Sequence, residues 1–314
     1  MNKQDRIYVA GHRGLVGSAI VRRLQADGYN NLVTRTSKEL DLREQQAVRD
    51  FFTTEKPDYV ILAAARVGGI LANDTYPADF IYDNLMMEAN VIHASYENGV
   101  RKLLALGSTC IYPKMAAQPL KEEYLLTGPL EPTNEWYAVA KIAGIKLCQA
   151  FQRQYGCSFI AAMPTNLYGP GDNFDLENSH VLPAMIRKFH EAKLKQSPSV
   201  TRWGTGKALR EFLHVDDLAD ACLFLLQEYD DPEIVNIGVG EDLSIAELAG
   251  MVRDVVGFQG GIVYDASKPD GTPRKLVDTS KINGLGWQAK TDLREGVENT
   301  YRWFLDNVEN LRGL

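Results

Sequence analysis

The chain has 314 residues, of which 45% are hydrophobic and 24% are charged, and these are ordinary values for a globular protein. Its 34 Lys and Arg residues against 41 Asp and Glu residues give a net charge of −7, which argues against nonspecific nucleic-acid binding, because that needs a broad cationic surface. The length allows a substantial core and suggests about two domains.

The N-terminal segment is polar and leads directly into an apolar strand, so we expect no signal peptide, and no apolar run reaches the roughly 20 residues that a membrane span requires. Four cysteines (Cys110, Cys148, Cys157 and Cys222) are scattered without Cys-x-x-Cys spacing. We expect reduced thiols rather than a disulfide framework or a zinc site, and no metal. These features together predict a cytoplasmic protein.

The first half alternates short apolar runs with longer amphipathic ones, a pattern typical of parallel strands joined by helical crossovers. Strands are expected at residues 6–10, from 32, at 59–63, 102–107 and 158–163, and helices at 15–26, 44–55, 77–98 and from 135. We therefore predict an α/β protein whose first domain, residues 1–170, is built on a doubly wound parallel sheet.

After residue 170 the pattern loosens into polar loops between helices expected at residues 181–192, 215–227, 244–256 and 293–307. This half predicts a smaller C-terminal α/β domain, residues 171–314, that binds the substrate. The short apolar run at 235–238 is a candidate strand, so a segment near 210–240 is a candidate to return to the main sheet.

Gly11, Gly14 and Gly17 lie between the first strand and the first helix, in the spacing G-x-x-G-x-x-G rather than the usual G-x-G-x-x-G. Glycine allows the tight turn and lets the backbone approach a pyrophosphate at the helix N-terminus. Such glycines can also serve a steric turn alone. Their place in the first βαβ unit favours dinucleotide binding.

The segment after the second strand indicates which dinucleotide binds, because a carboxylate there would hold an unmodified ribose. Residues 34–37 carry no carboxylate, and Arg35 there and Arg13 in the glycine loop suit a 2′-phosphate. We therefore expect NADP(H), the alternative being that both arginines are solvated surface charges. Asp41 and Leu42 are candidates to lie against the adenine.

Tyr137 and Lys141 are four residues apart on the helix expected from residue 135, so they share one face. An ammonium beside a phenol favours the phenolate, which would lower its pKa from about 10 towards neutrality and suit it for proton transfer. For the spacing alone, an ordinary amphipathic helix that happens to carry a Tyr and a Lys is the favoured explanation.

The helices at residues 77–98 and from 135 carry more apolar side chains than one buried face requires. Examples in the first of them are Phe80, Ile81, Leu85, Met86, Met87, Val91 and Ile92. Packing within one chain is one explanation. We favour a homodimer seam, since symmetric dimers are the commonest oligomers.

The glycine loop, Ser108 and the Tyr137–Lys141 pair together resemble the extended short-chain dehydrogenase/reductase family. That resemblance implies a Rossmann-like domain, a Ser-Tyr-Lys catalytic set and a sugar-nucleotide substrate. Further motifs resemble the members that epimerise GDP-4-keto-6-deoxy-D-mannose at C3 and C5 and reduce its 4-ketone with NADPH. These motifs span nearly the whole chain, at residues 11–14, 64–69, 108–113, 164–169, 210–214 and 268–275.

The resemblance implies a role for each catalytic residue. Tyr137 is the acid at the C4 oxygen and Ser108 hydrogen-bonds that oxygen. Lys141 holds the nicotinamide ribose and lowers the pKa of Tyr137. Cys110 and His180 are the base and acid of the epimerisations. A thiol of pKa about 8.5 needs some lowering to act as a base, and we expect the nearby His180 to supply it.

The same resemblance implies two binding sets. The cofactor set is Gly11, His12, Arg13, Gly14, Leu15, Val16, Gly17, Arg35, Ser37, Asp41, Leu42, Leu106, Gly107, Lys141, Pro164, Asn166, Leu167 and His180. The substrate set is Asn166, Lys188, Trp203, Arg210, Asp270 and Lys275. Ser37 departs from the pattern, which has a second Arg there, and its presence weakens the case for NADPH over NADH.

Two other functions are compatible with parts of the sequence. A 4-epimerase or 4,6-dehydratase of the same fold is the nearer one, but a dehydratase is expected to carry an acid pair where this chain has Thr109 and Cys110. A noncatalytic dinucleotide sensor is the other, although sensing alone does not need the proton donor of the Ser108, Tyr137 and Lys141 set.

Overall fold

The computed structural model describes residues 1–176, 179–268 and 270–310. Its strands are β1 (Ile7–Ala10), β2 (Leu32–Val33), β3 (Tyr59–Leu62), β4 (Lys102–Leu106), β5 (Ser158–Pro164), β6 (Asn166–Tyr168), β7 (Ser199–Trp203), β8 (Leu209–Arg210), β9 (Phe212–His214), β10 (Val235–Ile237), β11 (Leu243–Ser244), β12 (Gly261–Asp265) and β13 (Arg274–Lys275).

Its helices are α1 (Leu15–Ala26), α2 (Gln45–Glu55), α3 (Ile70–Thr75), α4 (Pro77–Glu97), α5 (Glu135–Tyr155), α6 (Val181–Leu194), α7 (Val215–Glu228), α8 (Ile245–Val256), α9 (Ser280–Leu285) and α10 (Leu293–Asn307). A short 3₁₀ helix, Thr109–Ile111, follows β4. Among the described residues, no helix combines the length and apolarity needed to cross a membrane.

The main sheet has six strands in the order β10-β5-β4-β3-β1-β2, and every neighbouring pair is parallel. Successive side chains of a strand point to opposite faces of the sheet. The alternate residues of β1 therefore belong to two different clusters of buried apolar side chains, one on each face. Ile7 and Val9 pack with α1 and α7, whereas Tyr8 and Ala10 pack with α2, α4 and α5. This three-layer arrangement confirms the predicted Rossmann-like α/β fold.

The second half adds small sheets, with β8 paired to both β11 and β13, β7 to β12, and β6 to β9. A third cluster of buried apolar side chains joins α6, α8 and α10. The chain returns to the main sheet through β10, which pairs with β5 in parallel. The division into domains at residues 1–170 and 171–314 stays a prediction.

The long helices and the main-sheet strands agree with the sequence predictions to within one or two residues. The elements that the sequence did not indicate are the short ones: α3, α9, β6 to β9 and β11 to β13. These strands have two to five residues, too few for a period-2 pattern to be distinguished from a loop.

Candidate active site

The glycine loop is shaped by contacts within the chain at two of its three positions. Gly11 has a left-handed φ of +84°, and a Cβ on it would lie 2.8 Å from the backbone of Ala64. A Cβ on Gly17 would lie 2.2 Å from the carbonyl oxygen of Gly11. The turn itself therefore requires these two glycines.

Gly14 differs, because a Cβ there would meet only the Gly11 carbonyl oxygen, at an ordinary 3.5 Å. It is the N-cap of α1 and supplies no side-chain hydrogen bond, so the helix N-terminus is left open. Free backbone N–H groups and the positive end of the helix dipole suit a pyrophosphate at this point. The loop thus fits the dinucleotide predicted from the sequence.

The cations expected near a 2′-phosphate are only partly free. Arg35 forms an ion pair with Glu55 at 2.5 Å and donates to the carbonyl of Thr34 at 2.8 Å. Glu39 lies just beyond residues 34–37. Its carboxylate accepts hydrogen bonds from the backbone N–H and the hydroxyl of Thr36, at 2.7 and 2.8 Å. Arg13 is exposed in the glycine loop. It is the better candidate for a phosphate contact.

The other residues predicted at the adenine end of the cofactor differ in their surroundings. Asp41 is ion-paired with Arg43 at 2.7 Å, Leu42 is buried and Ser37 is exposed. His12 contributes a ring nitrogen, Nδ1, that is buried without a hydrogen-bond partner among the described residues. Their contacts with a cofactor stay predictions.

The C-terminal end of β4 brings together Leu106, Gly107, Ser108 and Cys110. Ser108 caps the 3₁₀ helix that follows, its hydroxyl accepting from the backbone N–H of Cys110 at 3.4 Å. A Cβ on Gly107 would lie 2.3 Å from the sulfur of Met163, so the absence of a side chain here leaves the room that the Met163 side chain fills. Ligands of open α/β sheets bind at this edge.

Tyr137 and Lys141 lie on the first two turns of α5, with the Lys141 ammonium 5.7 Å from the centre of the Tyr137 ring. Burial raises the pKa of the Tyr137 phenol well above its ordinary value, and the opposing effect of Lys141 is smaller. The expectation that Lys141 would bring this pKa towards neutrality is therefore wrong. Tyr137 is therefore protonated at neutral pH.

Cys110 is buried, and burial raises the pKa of its thiol. Lys275 opposes this effect more than any other group does. His180 is reached by solvent but is surrounded by protein, which lowers its pKa, and Lys275 lowers it further. A neutral imidazole supplies no charge to the thiol, so the expectation that His180 would lower the Cys110 pKa is wrong. Lys275 performs that electrostatic role.

Cys110 and Lys275 line one narrow cavity with Lys114, Gln118 and Asn134. Lys275 on β13 is paired in register with Arg210 on β8, so two predicted substrate residues lie side by side. The strand pairing that brings them together was not visible in the sequence, because both strands have only two residues.

The remaining predicted binding residues have mixed surroundings. Trp203 is 66% exposed at the end of β7, with the Lys268 ammonium 5.6 Å from the centre of a ring. Asp270 accepts hydrogen bonds from the backbone and hydroxyl of Thr205, both at 2.7 Å, so it fastens the loop after β7. Lys188 on α6 is half-buried, and burial lowers its pKa.

The end of β5 contributes Pro164, and β6 contributes Asn166 and Leu167. The side-chain amide of Asn166 donates to the backbone carbonyl of Glu211 at 2.7 Å, and Leu167 packs against the core. The contact of Asn166 joins β6 to the neighbouring β9 segment. Any role for it towards cofactor or substrate stays a prediction.

Arg202 is a residue that the sequence analysis missed. It is 8% exposed on β7, its guanidinium Nε has no hydrogen-bond partner within the described residues, and its charge helps to lower the pKa of Lys188. A buried guanidinium without a carboxylate partner suits an anionic ligand. The alternation of buried and exposed residues along β7 could have signalled it, had β7 been recognised as a strand.

Residues 7–238 match the profile of the NAD dependent epimerase/dehydratase family. The chain belongs to this family. Among curated relatives, GDP-L-fucose synthase 1 of Arabidopsis thaliana is 63% identical over 98% of this chain and 96% of the relative. A GDP-L-fucose synthetase of Naegleria fowleri solved with NADP bound matches with a TM-score of 0.93 at 32% identity, covering 99% of this chain and 97% of that chain.

A second kind of relative with the same fold acts on a different sugar. A GDP-6-OMe-4-keto-L-xylo-heptose reductase from C. jejuni matches with a TM-score of 0.94 at 44% identity, covering 98% of this chain and 99% of that chain. Membership of the family establishes an NAD(P)-dependent enzyme, and the relatives of this fold act on more than one GDP-sugar.

Proposed function

We propose that the protein is a GDP-L-fucose synthase, which epimerises GDP-4-keto-6-deoxy-D-mannose at C3 and C5 and reduces its 4-ketone with NADPH. The observation that carries this proposal is the turn after β4, where Ser108 and Cys110 lie within three residues of each other and Lys141 donates to the carbonyl of Leu106 at 3.0 Å. One turn thus holds a hydroxyl for the ketone oxygen and a thiol for the neighbouring carbons.

The proposed chemistry uses the 4-ketone in both reactions. The ketone acidifies the hydrogens at C3 and C5, because the carbanion delocalises onto the oxygen. Hydrogen-bond donors at that oxygen stabilise the charge as it develops, and we assign this role to Tyr137 and Ser108. Cys110 and His180 then serve as the base and the acid that invert each centre.

Reduction requires a hydride at C4 and a proton at the C4 oxygen. NADPH supplies the hydride when it is bound. Tyr137, protonated at neutral pH because burial raises its pKa, donates the proton to the oxygen. The Lys141 ammonium provides a positive charge beside the phenol. The Ser108 hydroxyl orients the ketone oxygen through a hydrogen bond.

We further propose that the second half of the chain, residues 171–314, holds the GDP moiety while residues 1–170 hold the cofactor. Lys188, Arg202, Arg210 and Lys275 are cationic, and burial lowers the pKa of each. A diphosphate would compensate the charge of these buried and partly buried side chains. Trp203 offers an exposed ring on which a sugar or base can pack.

The test is incubation of the purified protein with GDP-4-keto-6-deoxy-D-mannose and NADPH, followed by NADPH absorbance and by NMR of the product. We expect oxidation of NADPH and inversion at both C3 and C5. Oxidation without inversion would instead identify a 4-reductase, the activity carried by the C. jejuni heptose relative, and the absence of oxidation would refute the proposal.

We also propose a homodimer formed by the outer faces of α4 and α5, which pack against each other. Tyr82 on α4 and Val139 on α5 are 59% and 42% exposed, and such apolar exposure on adjacent helices is typical of an interface.

Replacing Val139 with aspartate is expected to shift the protein from dimer to monomer in light scattering. The exposed Val263, on β12 in another part of the fold, provides the matched control as Val263→Asp. A monomeric wild-type protein, or a variant as dimeric as the wild type, would contradict this interface.

A cytoplasmic location is likewise a proposal. It is supported by the four cysteines, all of which are free, since disulfides are rare in reducing compartments.

A further inference from the structure

Glu88 on α4 forms a buried ion pair with Lys141 on α5. The ammonium nitrogen and the carboxylate oxygen Oε1 are 2.8 Å apart, and the two side chains are 3% and 5% exposed. A pair buried this deeply is often no more stabilising than two apolar residues of the same volume, because both charges lose their hydration. Stability alone therefore gives little reason for this carboxylate to lie here.

The pair restricts where the ammonium can point. An ammonium has three N–H donors, and Lys141 directs one to Glu88 and a second to the backbone carbonyl of Leu106 at 3.0 Å. The third N–H donor has no hydrogen-bond partner among the described residues. With two tetrahedral directions fixed by groups on α4 and β4, the direction of the third is fixed as well.

The helix packing is built around this carboxylate. A Cβ on Gly144, which is buried in the middle of α5, would lie 2.3 Å from the other carboxylate oxygen of Glu88, Oε2. Glycine inside a helix costs roughly 0.5–1 kcal/mol relative to alanine, so its presence needs a reason. Room for the Glu88 side chain between the two helices supplies that reason.

We propose that Glu88 is a positioning residue, which directs the remaining N–H of the Lys141 ammonium towards the bound dinucleotide. This inference rests on the proposed cofactor use of Lys141. Glu88 itself is separated from the reacting atoms by Lys141, so it acts through that residue and touches no substrate.

Several titratable groups surround the pair. Tyr137 on the same helix and Cys110 after β4 both lie within electrostatic reach of Lys141, and Cys148 lies within reach of Glu88. Burial alone would lower the pKa of Lys141, and Glu88 is the largest of the influences that raise it above its ordinary value. Removing the carboxylate takes away the largest influence that opposes the effect of burial on the Lys141 pKa. Lys141 then loses its proton at a lower pH.

The experiment compares NADPH affinity across pH in the wild type and in Glu88→Gln, using fluorescence titration without any sugar nucleotide. The wild type is expected to bind with little change from neutral to moderately alkaline pH. The variant is expected to bind about tenfold more weakly or worse, with the deficit growing as pH rises. Glu97→Gln is the matched control, because Glu97 lies on the same helix in an exposed pair with Arg49.

A second variant, Glu88→Asp, retains the charge but shortens the reach. It is expected to bind NADPH more weakly than the wild type by a factor that does not change with pH, and this result remains informative if Glu88→Gln fails to fold. Wild-type affinity in Glu88→Asp, or a pH profile of Glu88→Gln that is parallel to the wild type, would overturn the proposal. This titration contains no sugar nucleotide, so it tests the positioning role separately from the proposed function. If the wild type binds NADPH but does not turn over GDP-4-keto-6-deoxy-D-mannose, the proposed function fails and the positioning role can still be tested.

Discussion

Replacing Tyr137 with phenylalanine is expected to lower the rate of 4-ketone reduction by about two to four orders of magnitude, the usual contribution of a general acid. The substitution removes only the hydroxyl, and the ring can keep its edge-to-face contact with Phe80, whose centre is 6.5 Å away. Because the packing is retained, a loss of activity would report the missing proton donor. NADPH oxidation under saturating substrate is the measurement.

The same variant separates the two proposed reactions. Exchange of the C3 and C5 hydrogens with deuterated solvent is expected to persist, since Ser108 still donates to the ketone oxygen. Tyr155→Phe is a suitable control, because it removes an exposed hydroxyl at the C-terminal end of α5, which carries no candidate site residue. Reduction at the wild-type rate in Tyr137→Phe would eliminate Tyr137 as the acid. Equal loss of exchange and reduction would show that the hydroxyl is needed at the enolate stage too.

Most of the main sheet was predictable because its strands are buried on both faces and its helices are long. The expected helix at residues 15–26 has the bounds of α1, and the strand expected at 102–107 is one residue longer than β4. Both carry strong periodic or continuous apolar patterns. The strands of the second half are short, and their partners are distant in sequence, so their pairing depended on tertiary contacts that no local pattern records.

The candidate site shows the same contrast between residues identified by local patterns and residues brought together by tertiary contacts. Ser108, Tyr137 and Lys141 were found from spacing and from the resemblance, because their roles are tied to one loop and one helix. Glu88 was not found, since nothing in the sequence of α4 shows that one carboxylate points to Lys141 across a glycine. The electrostatic role of Lys275 was also missed, because it depends on the pairing of β13 with β8 and on the depth of Cys110.

The depth of Cys110 leads to a second large effect. Burial raises the pKa of its thiol, so the thiolate is the minor form at neutral pH and its fraction grows as pH increases. If the thiolate removes the C3 and C5 protons, exchange of these hydrogens with deuterated solvent is expected to accelerate with rising pH. Lys275 favours the thiolate, so neutralising it as Lys275→Met should move this acceleration to higher pH.

Cys110→Ser is expected to slow solvent-deuterium exchange at C3 and C5 by about two to four orders of magnitude, because a hydroxyl in the same place is a far weaker base than a thiolate. Ser108, Tyr137 and Lys141 remain, so NADPH oxidation is expected to continue and to yield a 4-reduced sugar without inversion. Cys157→Ser serves as the control, because Cys157 is a partly exposed cysteine between α5 and β5. Exchange at the wild-type rate in Cys110→Ser would exclude the thiol as the base and leave His180, whose pKa burial and Lys275 both lower, as the residue to carry that role.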